Sequence, residues 1–280
     1  MKVTFLGTGT SHGIPMIGCD CAVCRSDDPK NKRTRASALV EVDGVNLLID
    51  TPPDLRNQAL RENIWRVDAI LFTHAHADHV FGLDDVRRFN DLSGAVMPCY
   101  GSEHTLRTIR RTFEYVFVPT QVGGGKPALD LMPVITQFAV NGVAVTPVQV
   151  LHGKLDVLGY RIGDFAYITD VSSIPDASME LLAGLDVLVL GVLRPQRHET
   201  HFSVDEGLSV VEALRPKSAF FTHIAHKLDY ETTNAALPPH IRLAYDGLQI
   251  MVLMPSTRNA RSEEREERKK PIAKCRKLER

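Results

Sequence analysis

The chain has 280 residues, of which 44% are hydrophobic and 24% charged, and a formal net charge of -1 at pH 7. Globular proportions of this kind exclude a wholly disordered or fibrous chain, and a charge near zero withholds the broad basic surface on which nucleic-acid binding rests, so the expected partner is a small substrate. No run of about 18 apolar residues is present to cross a membrane, the N-terminus shows no signal-peptide pattern, and three of the five cysteines crowd together at Cys19, Cys21 and Cys24, which points to a metal cluster in a reducing, cytoplasmic setting with no membrane partner.

Residues 2–6 form the first short apolar run and predict a strand. It leads into Gly7-Thr8-Gly9-Thr10. A dinucleotide fingerprint needs a third glycine where His12 stands, and a helix where Pro15 and the cysteines follow, so that reading fails. The glycines are expected to let the backbone turn tightly, and His12 is a candidate for the substrate pocket, with a structural role as its alternative. The three cysteines offer thiolates to a tetrahedral structural zinc, which needs a fourth ligand. Runs at 38–42, 45–49 and 69–72 predict further strands. The last leads directly into Thr73-His74-Ala75-His76-Ala77-Asp78-His79, so three of the chain's 11 histidines stand within six residues. On a strand-to-helix turn, His74 and His76 converge on one metal ion, while Asp78 and His79 point from the first helical turn toward a second. Zinc, manganese, iron and nickel all suit this nitrogen and oxygen donor set.

Helical patterns follow at 83–90 and 103–115. Arg87 and Arg88, just after the metal loop, are candidates to hold a substrate phosphate, although exposed helical arginines are commonplace. The glycine run 123–125, followed by Pro127, reads as a loop or lid. A strand at 143–151 delivers His152, a run at 165–168 delivers Asp170, and the apolar residues 219–222 deliver His223. Each stands where a buried strand opens onto a loop, the usual place for functional groups on a rigid scaffold. Asp170 suits a bridging role, because one carboxylate shares its two oxygens between neighbouring ions. A helix at 178–183, a strand at 187–190 and a helix at 204–214 complete the pattern, with His198 and His201 on the loop before the last helix and Ser203 a candidate cap for it. Cys99 and Cys275 lack metal-site spacing and read as a core thiol and a tail thiol. The class is mixed α/β or α+β in one domain, residues 1–254. Residues 255–280 form a charged tail, disordered or marginally helical.

The pattern His74-x-His76-x-Asp78-His79, followed by His152, Asp170 and His223, resembles the metallo-β-lactamase superfamily. That resemblance implies a four-layered αβ/βα sandwich with metals at one edge, over about residues 1–254. Four further segments, residues 7–15, 19–24, 82–87 and 222–226, are similar to the PhnP-type branch, the phosphoribosyl cyclic phosphate phosphodiesterases. The branch implies two divalent catalytic ions, zinc or manganese with iron or nickel also admitted, held by His74, His76, Asp78, His79, His152, Asp170 and His223. It also implies a structural zinc on Cys19, Cys21, Cys24 and His226. Asp78 would orient the attacking hydroxide as well as ligate, and His201 would protonate the leaving oxygen, with His198 as the competing choice. The implied activity is hydrolysis of a small, cyclic phosphodiester such as a phosphoribosyl cyclic phosphate. Two other readings stand beside it. One is a tRNA-maturing ribonuclease of the same fold, for which no basic substrate arm is visible before the tail. The other is a non-catalytic relative resembling the pyrroloquinoline-quinone biosynthesis protein, against which the full ligand set argues. A homodimer is expected only because dimers are the commonest soluble homo-oligomers.

Overall fold

The computed structural model describes residues 1–119 and 125–253. Most of the expected loop at 123–125, and the charged tail with Cys275, lie outside the described residues. The strands in chain order are β1 (Lys2–Gly7), β2 (Ser37–Val42), β3 (Val45–Ile49), β4 (Ala69–Leu71), β5 (Met97–Gly101), β6 (Leu129–Pro133), β7 (Phe138–Val140), β8 (Val143–His152), β9 (Leu155–Ile162), β10 (Phe165–Ile168), β11 (Val187–Arg194), β12 (Phe202–Ser203), β13 (Ser218–Thr222), β14 (Ile241–Leu243) and β15 (Gln249–Met251). Among the described residues they form two sheets. One has the order β15-β1-β2-β3-β4-β5-β6; the other has the order β14-β13-β11-β10-β9-β8-β7, with β12 paired to β11.

The layering follows from period-two burial on strands that are covered on both faces. Ala38, Val40, Leu47 and Ile49 of the first sheet meet Phe165, Tyr167, Val187 and Val189 of the second in one central core. Their neighbours face outward into two further cores. Leu39, Leu48 and Ile70 pack beneath helical residues such as Leu55, Leu106 and Ile109, and Ala166, Ile168, Leu188 and Leu190 pack beneath Leu182 and Val211. Helix, sheet, sheet, helix is therefore the order of layers, the sandwich that the resemblance implies. Double burial also explains why the strands read as unbroken apolar runs in the sequence.

Parallel pairing of β3 through β6, and of β10, β11, β13 and β14, sends several strand ends to the same edge of the sandwich. Gly7 and Gly9 sit at the end of β1, and neither has a positive φ. Their use is close approach rather than tight turning: a Cβ on Gly9 would meet the Arg33 carbonyl at 2.8 Å, and one on Gly7 would overlap the Arg35 carbonyl. The helix expected at 103–115 is two pieces, Glu103–Thr112 and Glu114–Phe117, broken at Phe113 with φ -110° and ψ 43°. Among the described residues no helix is long and apolar enough to cross a membrane.

Candidate metal centre

After β4 the chain stays extended to His76, which caps the short helix Ala77–Val80 with φ -67° and ψ 152°. That switch from extended to helical backbone turns Asp78 and His79 away from the direction of His74 and His76. Three other strand ends bend sharply to meet them. Asp50 follows β3 with φ 60°, Asp170 follows β10 with φ 48°, and His223 follows β13 with φ 56°. Left-handed conformations are uncommon for residues other than glycine and cost on the order of 1–3 kcal/mol each, so they persist where surrounding structure fixes them.

Asp170 sits at the middle of the cluster. Its Oδ1 lies 3.2 Å from His79 Nε2 and 3.3 Å from His223 Nε2. Its Oδ2 lies 3.7 Å from His74 Nε2 and 4.0 Å from His152 Nε2. Asp78 Oδ2 approaches His79 Nε2 at 3.3 Å and His223 Nε2 at 3.5 Å. Two sets of ligand atoms, each lying within 4.8 Å of one another, share Asp170: Asp78, His79, Asp170 and His223 in one, and His74, His76 and Asp170 in the other. His152, Asp170 and His201 form a third such set beside them. One carboxylate thus presents one oxygen to each of two donor groups.

The far side of each ring decides what the near side offers. His79 Nδ1 donates to Asp50 Oδ2 at 2.7 Å, and the same carboxylate accepts from the Thr73 backbone N–H and hydroxyl, each at 2.8 Å. Because the Thr73 hydroxyl donates to Asp50, it accepts from His74 Nδ1 at 3.0 Å. His152 Nδ1 donates to the Thr200 carbonyl at 2.6 Å. These tautomers leave the Nε2 lone pairs of His74, His79 and His152 directed inward, toward carboxylate oxygens that are themselves acceptors. His74 Nε2, His79 Nε2 and both ring nitrogens of His223 are buried without a hydrogen-bond partner. A convergence of buried acceptors that lacks donors fits divalent cations, and the outer hydrogen bonds are of the kind that orient metal-bound imidazoles.

Charge shifts follow the same geometry. Burial, with the neighbouring His79, drives His74 well below its usual value. Burial also works against a charged His79, but the carboxylates of Asp170 and Asp50 outweigh it and raise that ring well above the ordinary range, so without a metal ion a proton stands on Nε2, the position at which a cation would replace it. For Asp78 and Asp170 burial favours the neutral acid, and the surrounding histidines reverse it and hold both carboxyls low. His201 is pushed down to about 3, first by burial and then by His223. Its ring stacks on that of His223 at 4.8 Å and lies 4.5 Å from that of His152. His198 stands farther out, 5.3 Å from His201, where its Nδ1 accepts from the Thr200 N–H at 3.3 Å.

A second cluster lies beside the first. Cys19, Cys21 and Cys24 place their sulfurs 3.1, 3.4 and 3.7 Å from His226 Nδ1. Backbone N–H groups of Cys24 and Met16 donate to the Cys21 and Cys24 sulfurs, each at 3.4 Å. The three cysteines are free of disulfides and with His226 form a set of tetrahedral-site composition. Cys99 is a buried core thiol. His12 is exposed on the wall of a cavity that reaches His201. Arg87, in contrast, is not brought to the metal cluster. Its guanidinium pairs with Asp84 at 3.3 Å, and with Arg88 it lines a separate groove beside Arg56 and Trp65. The i,i+3 acid on its own short helical turn claims it. Sequence reasoning missed Asp50, which ends an apolar run just as Asp170 does; the shared position was the signal. Thr73 and Thr200 carried none, since their roles rest on ring orientation.

A family model described as the beta-lactamase superfamily domain matches residues 45–224. The chain is 37% identical over 257 residues to an octanoyltransferase of Porphyromonas gingivalis, a match covering 90% of this chain and 52% of that protein. It spans about half the length of the curated relatives it matches first. Among solved structures, a diphosphatase from the PhnP family is 47% identical, covers 90% of this chain and 98% of its own, and has a TM-score of 0.85. Zinc-bound PqqB from Methylobacterium extorquens is 20% identical with a TM-score of 0.74, covers 90% of this chain and 100% of its own, and shows the fold.

Proposed function

The chain belongs to the beta-lactamase superfamily and, within it, to the PhnP family, and on that premise we propose that it is a metal-dependent hydrolase of a small phosphodiester, with a cyclic ribosyl phosphate as the leading substrate. The observation that carries the reading is Asp170, which turns one oxygen to His79 and His223 and the other to His74 and His152. A bridged pair of donor sets suits chemistry at phosphorus, where attacking, leaving and non-bridging oxygens all carry charge.

Two divalent ions held by His74, His76, His152, Asp78, His79, His223 and the shared Asp170 would supply Lewis acidity and bring the pKa of water from 15.7 toward about 7. The chain's own residues do the rest. Asp78, whose Oδ2 faces His79 and His223, would accept a hydrogen bond from the nucleophile and fix its direction. Asp50 and Thr200 hold the rings of His79 and His152 so that their lone pairs face inward. His201 lies against this set with an uncharged ring in the free protein. An anionic phosphoryl group beside that ring would favour its protonated form, so the ring would take a proton from solvent as substrate binds and could pass it to the leaving oxygen.

A second reading, hydrolysis of a phosphoanhydride, is favoured by one observation, the 47% identity to a structure described as a diphosphatase. Metal-loaded protein should be assayed on a cyclic ribosyl phosphate, a diphosphate-bridged diester and a precursor tRNA. The proposal expects the cyclic diester to be preferred. Preference for the diphosphate would move the reaction to the anhydride, and cleavage of the tRNA alone would replace it with ribonuclease action.

A further inference from the structure

A groove of about 300 Å³ lies between helix Leu55–Arg61 and helix Arg87–Ser93, on the outer face of the first sheet, and no proposed ion ligand lines it. Its floor is apolar: Leu55 and Phe89 are buried there, with Ala59 and Ile64 packed against them. Trp65, the chain's one tryptophan, lines the same groove at 64% exposure, with Leu60 at 53% and Leu92 at 45%. Among the described residues no ring or cation stacks on the indole, and it also borders a second cavity of about 290 Å³. Core packing therefore does not account for it, and large apolar side chains gathered in one exposed groove mark a place where something binds. Arg56, Arg87 and Arg88 are exposed along the lining, where Asp85 is the one carboxylate among the described residues. Arg87 and Arg88 reach Asp84 and Asp91 at 3.3 and 3.7 Å, exposed i,i+3 pairs of a kind that contributes little in water. Arg56 makes no ion pair among the described residues.

We propose that this groove is a binding site, separate from the metal centre, for a nucleoside monophosphate, with the base on Trp65 and the phosphate on Arg56 and Arg88. An open indole face is a platform on which any base stacks, and guanidinium forks match phosphate oxygens. The volume stands at the lower end of the roughly 300–1,000 Å³ usual for ligand sites, so it suits a mononucleotide. A long strand would need the broad basic surface that a net charge of -1 withholds. No amide or hydroxyl side chain lines the groove among the described residues, so the base is held by its face rather than read at its edge, and adenine and guanine are bound alike. The inference does not depend on the diester reading, because none of these residues serves the metal centre.

A single tryptophan makes the test local, since all indole fluorescence comes from Trp65. Titrating the metal-loaded full chain with AMP should quench that fluorescence saturably, and GMP should do so with an affinity within about threefold, as face-on stacking requires. Adenosine and inorganic phosphate, each carrying half of the ligand, should bind at least about 10-fold more weakly. Arg56→Gln should weaken AMP by about 10-fold, the lower end of what a charge-assisted hydrogen bond contributes. Equilibrium dialysis of radiolabelled AMP, which needs no indole, should find Trp65→Leu weakened by about 10-fold as well. The quench should persist in Asp78→Ala; its loss there would place the nucleotide on the metal centre and overturn the groove site. Silence at millimolar AMP, or equal affinity in wild type and Arg56→Gln, would also overturn it. A response to octanoate with none to AMP would replace the nucleotide with a fatty carboxylate. A quench that grows with protein concentration alone, alongside dimers in sedimentation, would make the groove a contact between two copies of the chain.

Discussion

At the scale of single residues, the seven proposed catalytic-ion ligands were legible because they gather where buried apolar runs end: four in the turn and helix that follow residues 69–72, and His152, Asp170 and His223 each at the end of a further run. A histidine or aspartate placed directly after a buried run stands out against its neighbours. Asp50 was written in the same way, after residues 45–49, yet it holds Thr73 and His79 rather than the inner cluster, and that distinction exists only in three dimensions. Asp50→Ala is therefore expected to keep the fold while weakening divalent-ion affinity or turnover by about 10- to 100-fold, the usual cost of losing a carboxylate behind a metal-bound histidine. Equilibrium metal binding by the purified variant checks it, and unchanged affinity with unchanged rate would remove Asp50 from the account. His201 poses a different question. His201→Ala should retain its metal ions while kcat falls by roughly 10²- to 10⁴-fold, and the defect should shrink on bis(p-nitrophenyl) phosphate, whose nitrophenolate departs without a proton. An equal defect on both kinds of leaving group would make the ring a positioning residue, and the same pattern in His198→Ala alone would transfer the role outward.

At the scale of elements, strands covered on both faces were the easiest to read, and several that went unread have partners far along the chain. β5 and β6 gain their place from neighbours that no local window contains, whereas β9 went unread although it pairs with the adjacent β8 and β10. Helix Val204–Leu214, in contrast, announces its start through Ser203 and Glu206, which close a capping box: Ser203 N–H donates to Glu206 at 2.8 Å, and Glu206 N–H donates to Ser203 Oγ at 3.4 Å. This cap fixes the segment immediately after His201, so Ser203→Ala should cost about 0.5–2 kcal/mol and disturb turnover with it. The pH dependence has a definite sign. The backbone N–H of Ser203 is the main cause that lowers the Glu206 carboxyl below its ordinary value. A depressed folded-state value gives stability that is present above the ordinary carboxylate range, near 4.3, and is lost as pH falls through the folded value. The stability gap between wild type and Glu206→Ala should accordingly close in acid, as read from denaturant midpoints across pH; a gap that widened in acid would contradict the box. The cysteine loop makes a parallel claim. Cys21→Ser should lower Tm and zinc content together, because metal binding there is folding free energy, and an unchanged Tm with unchanged zinc would refute a structural zinc.

At the scale of the whole molecule, the apolar runs and the chemistry at their ends carried only a mixed α/β or α+β class in one domain, while the four-layered sandwich was legible through the resemblance that the histidine motif and the later ligands carry. The sandwich joins them by bringing parallel strand ends from both sheets to one edge. What a single sequence left unread was the space between the clusters, since the cavity wall draws on residues from 10 to 16 and from 193 to 227 and no motif spans such a separation. The same architecture states the central claim in countable form: two shared donor sets should take two ions, and turnover should need both. Protein stripped of its catalytic ions should be titrated with manganese or zinc while hydrolysis of bis(p-nitrophenyl) phosphate is followed. The rate should climb until about two equivalents per chain are bound, beyond any zinc retained by the cysteine cluster, and then level off, with Asp78→Ala inactive at every loading. A full rate at one equivalent, or hydrolysis that persists unchanged in the stripped protein, would contradict the two-ion account.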